Sequence, residues 1–196
     1  MKKSINTALL RLVETGVMLA LATVLSVITV YQAPFGGSVT VCSMLPIFII
    51  AYRHGIRWGL LTGAVYGLLQ LIIGLNNFSY LHTMTGFIVS FLFDYFVAFG
   101  VLGFGGLFKN KIKSQAIGLP LGIIIGCVLR FCCHFISGIA VWGDTAAFQP
   151  IWVYSLVYNA WYMAPETIIT CVAAVLLSFV LDFRMPKLLK QRGIVN

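Results

Sequence analysis

Charged side chains are what this chain has least of. They make up 9% of its residues, against the roughly one quarter that keeps an ordinary globular domain in water. That shortage excludes a soluble fold. No hydrophilic stretch is long enough to form a separate domain, which excludes an ATPase or a soluble catalytic unit within the chain. The glycine cluster Gly100, Gly103, Gly105 and Gly106 is not a phosphate loop, because no strand precedes it and no Lys-Ser/Thr pair follows it directly. No CxxC pair exists among Cys42, Cys127, Cys132, Cys133 and Cys171. Adjacent Cys132 and Cys133 are poorly placed for a metal clip or a disulfide. All five read as small residues in helix packing, with no metal and no cofactor expected. No small-residue cleavage site follows the basic start Met1-Lys2-Lys3, so no removable leader is expected.

What the chain does have is hydrocarbon. Mean hydropathy is +0.99, and apolar runs of about 20 residues match a bilayer core of roughly 30 Å. This predicts an all-α integral membrane protein, a single domain over 1–196 with six transmembrane helices at about 8–30, 39–52, 57–75, 83–108, 115–138 and 151–181. The second is short and contains Pro46. The net charge of +8 is distributed as a topology signal. Lys2, Lys3 and Arg11 precede the first apolar run, Arg53 and Arg57 follow the second, Lys109, Lys111 and Lys113 follow the fourth, and Arg184, Lys187, Lys190 and Arg192 close the chain. The positive-inside rule then puts both termini in the cytoplasm of a multi-pass protein. Nucleic acid is excluded as a partner, and the basic residues add an attraction for anionic lipid. The opposite connections, 31–38, 76–82 and 139–150, carry turn formers such as Pro34, Gly36, Gly37, Gly143 and Asp144.

Glycine recurs every fourth residue at Gly59, Gly63 and Gly67, and again at Gly118, Gly122 and Gly126. That spacing cuts a groove into which another backbone can press. Gly16 and Ala20 form a smaller version on the first helix, where internal packing and docking onto a partner membrane protein are both open.

Four polar side chains interrupt the apolar middles of the later helices: Asp94, Arg130, His134 and Glu166. An ionised group at the bilayer centre costs about 2.5–3.5 kcal/mol or more, so each needs a partner or a wet cavity. Equal estimated depth pairs Arg130 with Glu166 as a structural ion pair and leaves Asp94 and His134 for a ligand. Ser155, Asn159, Tyr162 and Glu166 lie on one stripe of the last helix. Polar and aromatic groups occupy the outer half of the predicted bundle only. A channel or proton relay needs them across its full thickness, so the pattern predicts a pocket open outward and sealed below. Trp142, Trp152, Trp161, Tyr95, Tyr154 and Tyr158 are expected around Asp94 and His134. Aromatic faces beside a carboxylate suit a flat cationic ring, and Asn159 suits the edge of a heteroaromatic one.

The segments RFCCHFISGIAVWG and IWVYSLVYNAWYMAPE, with FDYFVAFG upstream and GGSVTVCSMLPIFIIAYRHG near the start, resemble the ThiT (YuaJ) family. Those are thiamine-binding S-components of energy-coupling factor (ECF) transporters, and the resemblance runs from about Leu12 to Leu181. It implies a six-helix bundle with a thiamine pocket near the outer surface and no enzymatic activity. A membrane coupling subunit and two ATPase subunits would be the partners. It also implies that Asp94 faces the thiazolium with Tyr95 beside it, and that His134, Trp142 and Tyr154 touch the ligand. Asn159 would meet the pyrimidine, and Gly16-x₃-Ala20 the coupling subunit. Position 94 is Asp where some members have Glu. The first outer connection lacks the Trp that some use as a lid, with Phe35 or Tyr31 in its place. An S-component for another flat vitamin or precursor, and an autonomous proton-coupled carrier using Asp94, His134 and Glu166, are the alternative readings.

Overall fold

The computed structural model describes residues 7–34, 36–81, 83–142 and 150–184; the expectations attached to Lys2, Lys3, Phe35, Gly143, Asp144, Lys187, Lys190 and Arg192 lie outside them. The elements are α1 Thr7–Val27, β1 Thr29–Gln32, β2 Ser38–Thr40, α2 Leu45–His54, α3 Ile56–Ile73, α4 Met84–Gly106, α5 Gln115–Ala140 and α6 Ile151–Val180. Among the described residues, 5 helices are long and apolar enough to cross a membrane: α1, α3, α4, α5 and α6.

The second predicted span is the exception. Instead of continuing α1 to residue 30 and opening a helix at 39, the chain forms an antiparallel ribbon with Thr29 opposite Thr40 and Gln32 opposite Ser38. Thr29, Val30, Val39, Thr40 and Val41 are β-branched, which disfavours helix and suits a pleated ribbon. Between the strands Gly36 sits at φ +112°, where a side chain would be strained. The helix that follows has only 10 residues, about 15 Å of rise and half a bilayer core. Pro46 lies in its first turn, where the missing N–H costs nothing. All of α2 except His54 is buried, so this segment is sheltered by its neighbours rather than by lipid. Ribbon and α2 together fill the slot that the sequence assigns to a sixth span.

The glycine grooves pack internally, as their spacing predicts. A Cβ on Gly63 would strike the Phe99 carbonyl of α4, and one on Gly122 would strike the Gly105 carbonyl. Gly63→Val must therefore push α3 off α4, and a stability loss of about 1–3 kcal/mol is expected. The melting temperature of the detergent-purified variant measures it; an unchanged value would show that the contact is not tight.

The two ends of the bundle differ chemically. At one, Arg53 donates from Nε and Nη2 to both carboxylate oxygens of Glu14 (2.7 and 2.8 Å), and His54 Nε2 lies 2.8 Å from Glu14 Oε2. Lys109 donates to the Arg53 carbonyl at 2.5 Å. Burial, with Arg53 and Arg184 nearby, holds the Lys109 ammonium below its usual range. Above this basic end lies a seal of buried apolar side chains, including Ile47, Phe48, Leu102, Leu119 and Ile123. The other end is hollow.

Candidate ligand site

A cavity of ≈ 410 Å³ opens at that far end. Its wall is assembled from the end of α1, the ribbon, the end of α3, the first half of α4, the end of α5 and the start of α6. Asp94, Tyr95, His134, Trp142, Tyr154 and Asn159, the six side chains the sequence singles out for a ligand, all line it. Arg130 lines it too, and Glu166 does not.

Asp94 is the hub. Its Oδ2 accepts from the hydroxyls of Ser90 and Ser137, both at 2.7 Å, and from Trp142 Nε1 at 3.4 Å. His134 Nδ1 stands 3.0 Å from Oδ1. A carboxylate accepts, so Nδ1 is assigned the proton. The other ring nitrogen, Nε2, is buried without a hydrogen-bond partner among the described residues. Asp94 and Tyr95 lie in a π-helical stretch, Phe91–Phe96, within α4. Such widened turns are frequent at functional sites because they re-aim side chains. The two neighbours consequently both reach the cavity.

Aromatic rings complete the wall. Tyr154 stacks on Tyr158 with centroids 5.7 Å apart, and Tyr158 meets Tyr162 edge-on at 5.8 Å. Tyr95 stacks on Phe78 at 5.6 Å, and its hydroxyl accepts from Asn77 at 3.3 Å. Asn159 donates to the Ser155 carbonyl at 2.8 Å and accepts from the Tyr162 hydroxyl at 2.8 Å. The stripe Ser155, Asn159, Tyr162 and Glu166 is buried along its length.

Two expectations need correction. Arg130 and Glu166 do not form an ion pair; the described ion pairs are Glu14 with Arg53 and His54, and Asp94 with His134. Arg130 lies 4.3 Å over the Phe99 ring, with Nη1 2.6 Å from the Met44 sulfur and Nε buried without a partner. Glu166 is occupied elsewhere, by the Thr40 N–H at 2.5 Å and the Thr40 hydroxyl at 2.6 Å. Both carboxylate oxygens are thus taken by the strand rather than by Arg130. Trp161 and Trp152 do not join the cavity: they are 68% and 57% exposed on the outer face of α6. One residue along a helix turns about 100°, so Tyr162 occupies the inward direction that Trp161 cannot. Of the two readings left open for Gly16 and Ala20, internal packing has no contact behind it among the described residues. Both are exposed, and a Cβ on Gly16 would have nothing within 4 Å.

The cavity also recruits residues that periodicity does not single out: Gln32 from the ribbon, Gln70 from α3, and Asn76 and Asn77 from the turn after it. Ser90, one turn before Asp94, carried a signal as a small hydroxyl residue spaced to meet the carboxylate.

The family described as thiamine transporter protein (Thia_YuaJ) matches residues 12–185 of this sequence. The chain belongs to that family. It is 38% identical over 194 residues to the thiamine transporter ThiT of Bacillus subtilis, a match covering 93% of this chain and 95% of that protein. A thiamine transporter ThiT from Lacticaseibacillus paracasei is 31% identical over 144 residues, covering 66% of this chain and 67% of its own length. The solved structure of ThiT from Listeria monocytogenes superposes with a TM-score of 0.74 at 24% identity, over 89% of this chain and 96% of that one. The fold of Thia_YuaJ proteins is thus the fold described above. As a family member with several apolar helices, the chain is a multi-pass membrane transport protein and not an enzyme.

Proposed function

We propose that this chain is the thiamine-binding S-component of an energy-coupling factor uptake transporter. The observation that carries the reading is the Asp94 carboxylate, set among Tyr, Trp and His rings in a cavity of ≈ 410 Å³. Thiamine is a small cation with two flat rings, and a cavity of this size and lining suits it. Asp94 would face the thiazolium, with Tyr95 beside it and His134 and Trp142 against the ring. Tyr154 would close one wall. Asn159 would read the pyrimidine edge by exchanging one of its contacts within α6. The charge pattern supports a cytoplasmic basic end, so the cavity would open to the outside. Energy would come from two ATPase subunits acting through a membrane coupling subunit. The outward-facing Gly16 and Ala20 would form part of the surface that meets it.

The test is a fluorescence titration of the purified protein with thiamine. Saturable quenching is expected, because Trp142 lines the cavity. Trp142→Phe should remove most of the quench and weaken binding. Absence of binding in the parent overturns the reading; an unchanged quench in Trp142→Phe moves the site elsewhere.

A further inference from the structure

Glu166 is 3% exposed and outside the cavity, yet both its oxygens are held by one residue of the ribbon. We propose that Glu166 is a positioning residue for ligand retention, latching the base of the ribbon to α6 so that the cavity wall swings about residues 40–43. The proposal rests on the thiamine-binding reading above.

The ribbon touches α6 at two places of different character. Near its turn, Gly37 N–H donates to the Tyr158 hydroxyl at 3.3 Å, and both residues line the cavity. Whatever enters meets that contact directly. At the base, Thr40 gives its N–H to Glu166 Oε2 and its hydroxyl hydrogen to Oε1. With that hydrogen spent, Thr40 Oγ1 accepts from the Ser43 hydroxyl and N–H at 2.7 and 3.2 Å. Hydrogen bonds to a carboxylate are the strong kind, roughly twice a neutral one. Glu166 lies two turns beyond Tyr158 on α6, about 12 Å further in. A weak contact thus faces the ligand, and a strong one is shielded from it.

The chain between Thr40 and α2 is a constrained bend that joins the ribbon to the bundle. Cys42 has φ +58°, the sole positive φ of a non-glycine residue among those described. Backbone in that region is held only where its surroundings over-determine it. On the far side α2 is immobilised by burial and by Glu14 on Arg53. With α2 fixed and Thr40 held by Glu166, a ribbon released from the latch would turn at residues 40–43. Losing the latch leaves the Asp94 cluster intact but lets the wall open.

The experiment is stopped-flow fluorescence with thiamine on the detergent-purified full chain, beside hydrogen exchange of residues 37–41 without ligand. Glu166→Gln presents an amide N–H₂ to one of two donors. Thiamine should leave it at least about tenfold faster, the scale of one lost charge-assisted hydrogen bond. Association should stay within about threefold, since entry does not use the latch. Exchange of the ribbon amides should accelerate. Thr40→Val should release faster than the parent, and Thr40→Ser should restore the parent's rate. Parent-like release and exchange in Glu166→Gln overturn the proposal, as does a lowered melting temperature with unchanged release. If Glu166→Gln does not fold, the Val–Ser contrast at Thr40 decides, and equal release in those two overturns it. A parent that binds no thiamine refutes the functional reading instead, while hydrogen exchange still reports on the latch.

Discussion

Asp94→Asn is expected to weaken thiamine binding by about 2–3 kcal/mol, on the order of thirty- to 150-fold. The substitution keeps the shape of the side chain and one acceptor oxygen. It removes the negative charge that Ser90, Ser137, His134 and Trp142 all surround. In water the loss would be small; beside rings and away from bulk solvent the same charge interaction is several-fold larger. The fluorescence titration measures it, and the melting temperature separates binding from folding. An analogue whose thiazolium is replaced by an uncharged ring should bind parent and variant with nearly equal affinity. If Asp94→Asn binds thiamine as tightly as the parent, the carboxylate does not face the cation.

The second large effect is expected at the face proposed to dock on the coupling subunit. Gly16→Leu or Ala20→Leu should reduce thiamine uptake by cells at least about tenfold, while the purified protein binds thiamine normally, because a bulky side chain holds two helices apart. Within the chain there is room for the new side chain: no heavy atom lies within 4 Å of a Cβ at Gly16. Leu12, Val13, Val17 and Val24 are exposed around it, so the face has no partner among the described residues. The contrast with Gly63, whose Cβ would hit backbone, makes the result diagnostic. Uptake and binding that fall together would show that α1 supports the pocket rather than a partner. Uptake at the parent's level would remove this face from the docking surface.

How much of this was legible in the sequence depended on which physical signal each residue carries. The long spans were legible because bilayer thickness sets a length that hydropathy reads directly. Asp94, His134 and Asn159 were legible because a polar group in hydrocarbon is conspicuous whatever its partners are. The ribbon was not, because in an apolar chain a β-branched run and a helix look alike to hydropathy. Yet Thr29–Tyr31 and Val39–Val41 flanking Pro34–Gly37 carried the hairpin signal. Equal estimated depth makes Arg130 the natural partner of Glu166, whereas the donors that meet the carboxylate come from Thr40, 126 residues away in sequence. Depth, however, says nothing of direction around a helix axis, which also misplaced Trp161. The π-helical turn at Asp94 leaves no mark in periodicity over so short a stretch.

The short buried helix α2 has a consequence for how the cavity wall is held in the membrane. Ten residues ending in Arg53 and His54 are too few to partition into a bilayer on their own merits, since an autonomous span needs about twenty. Their backbone becomes tolerable at membrane depth only once protein surrounds it. α1 and α3 both run from the basic end to the cavity, so the stretch between them has to cross back as well. It does so under cover of its neighbours: Glu14 holds Arg53, and the glycine-lined faces of α4 and α5 close on Phe48 and Ala51. The ribbon is continuous with α2, so one wall of the ligand cavity depends on a segment that protein, not lipid, keeps in place.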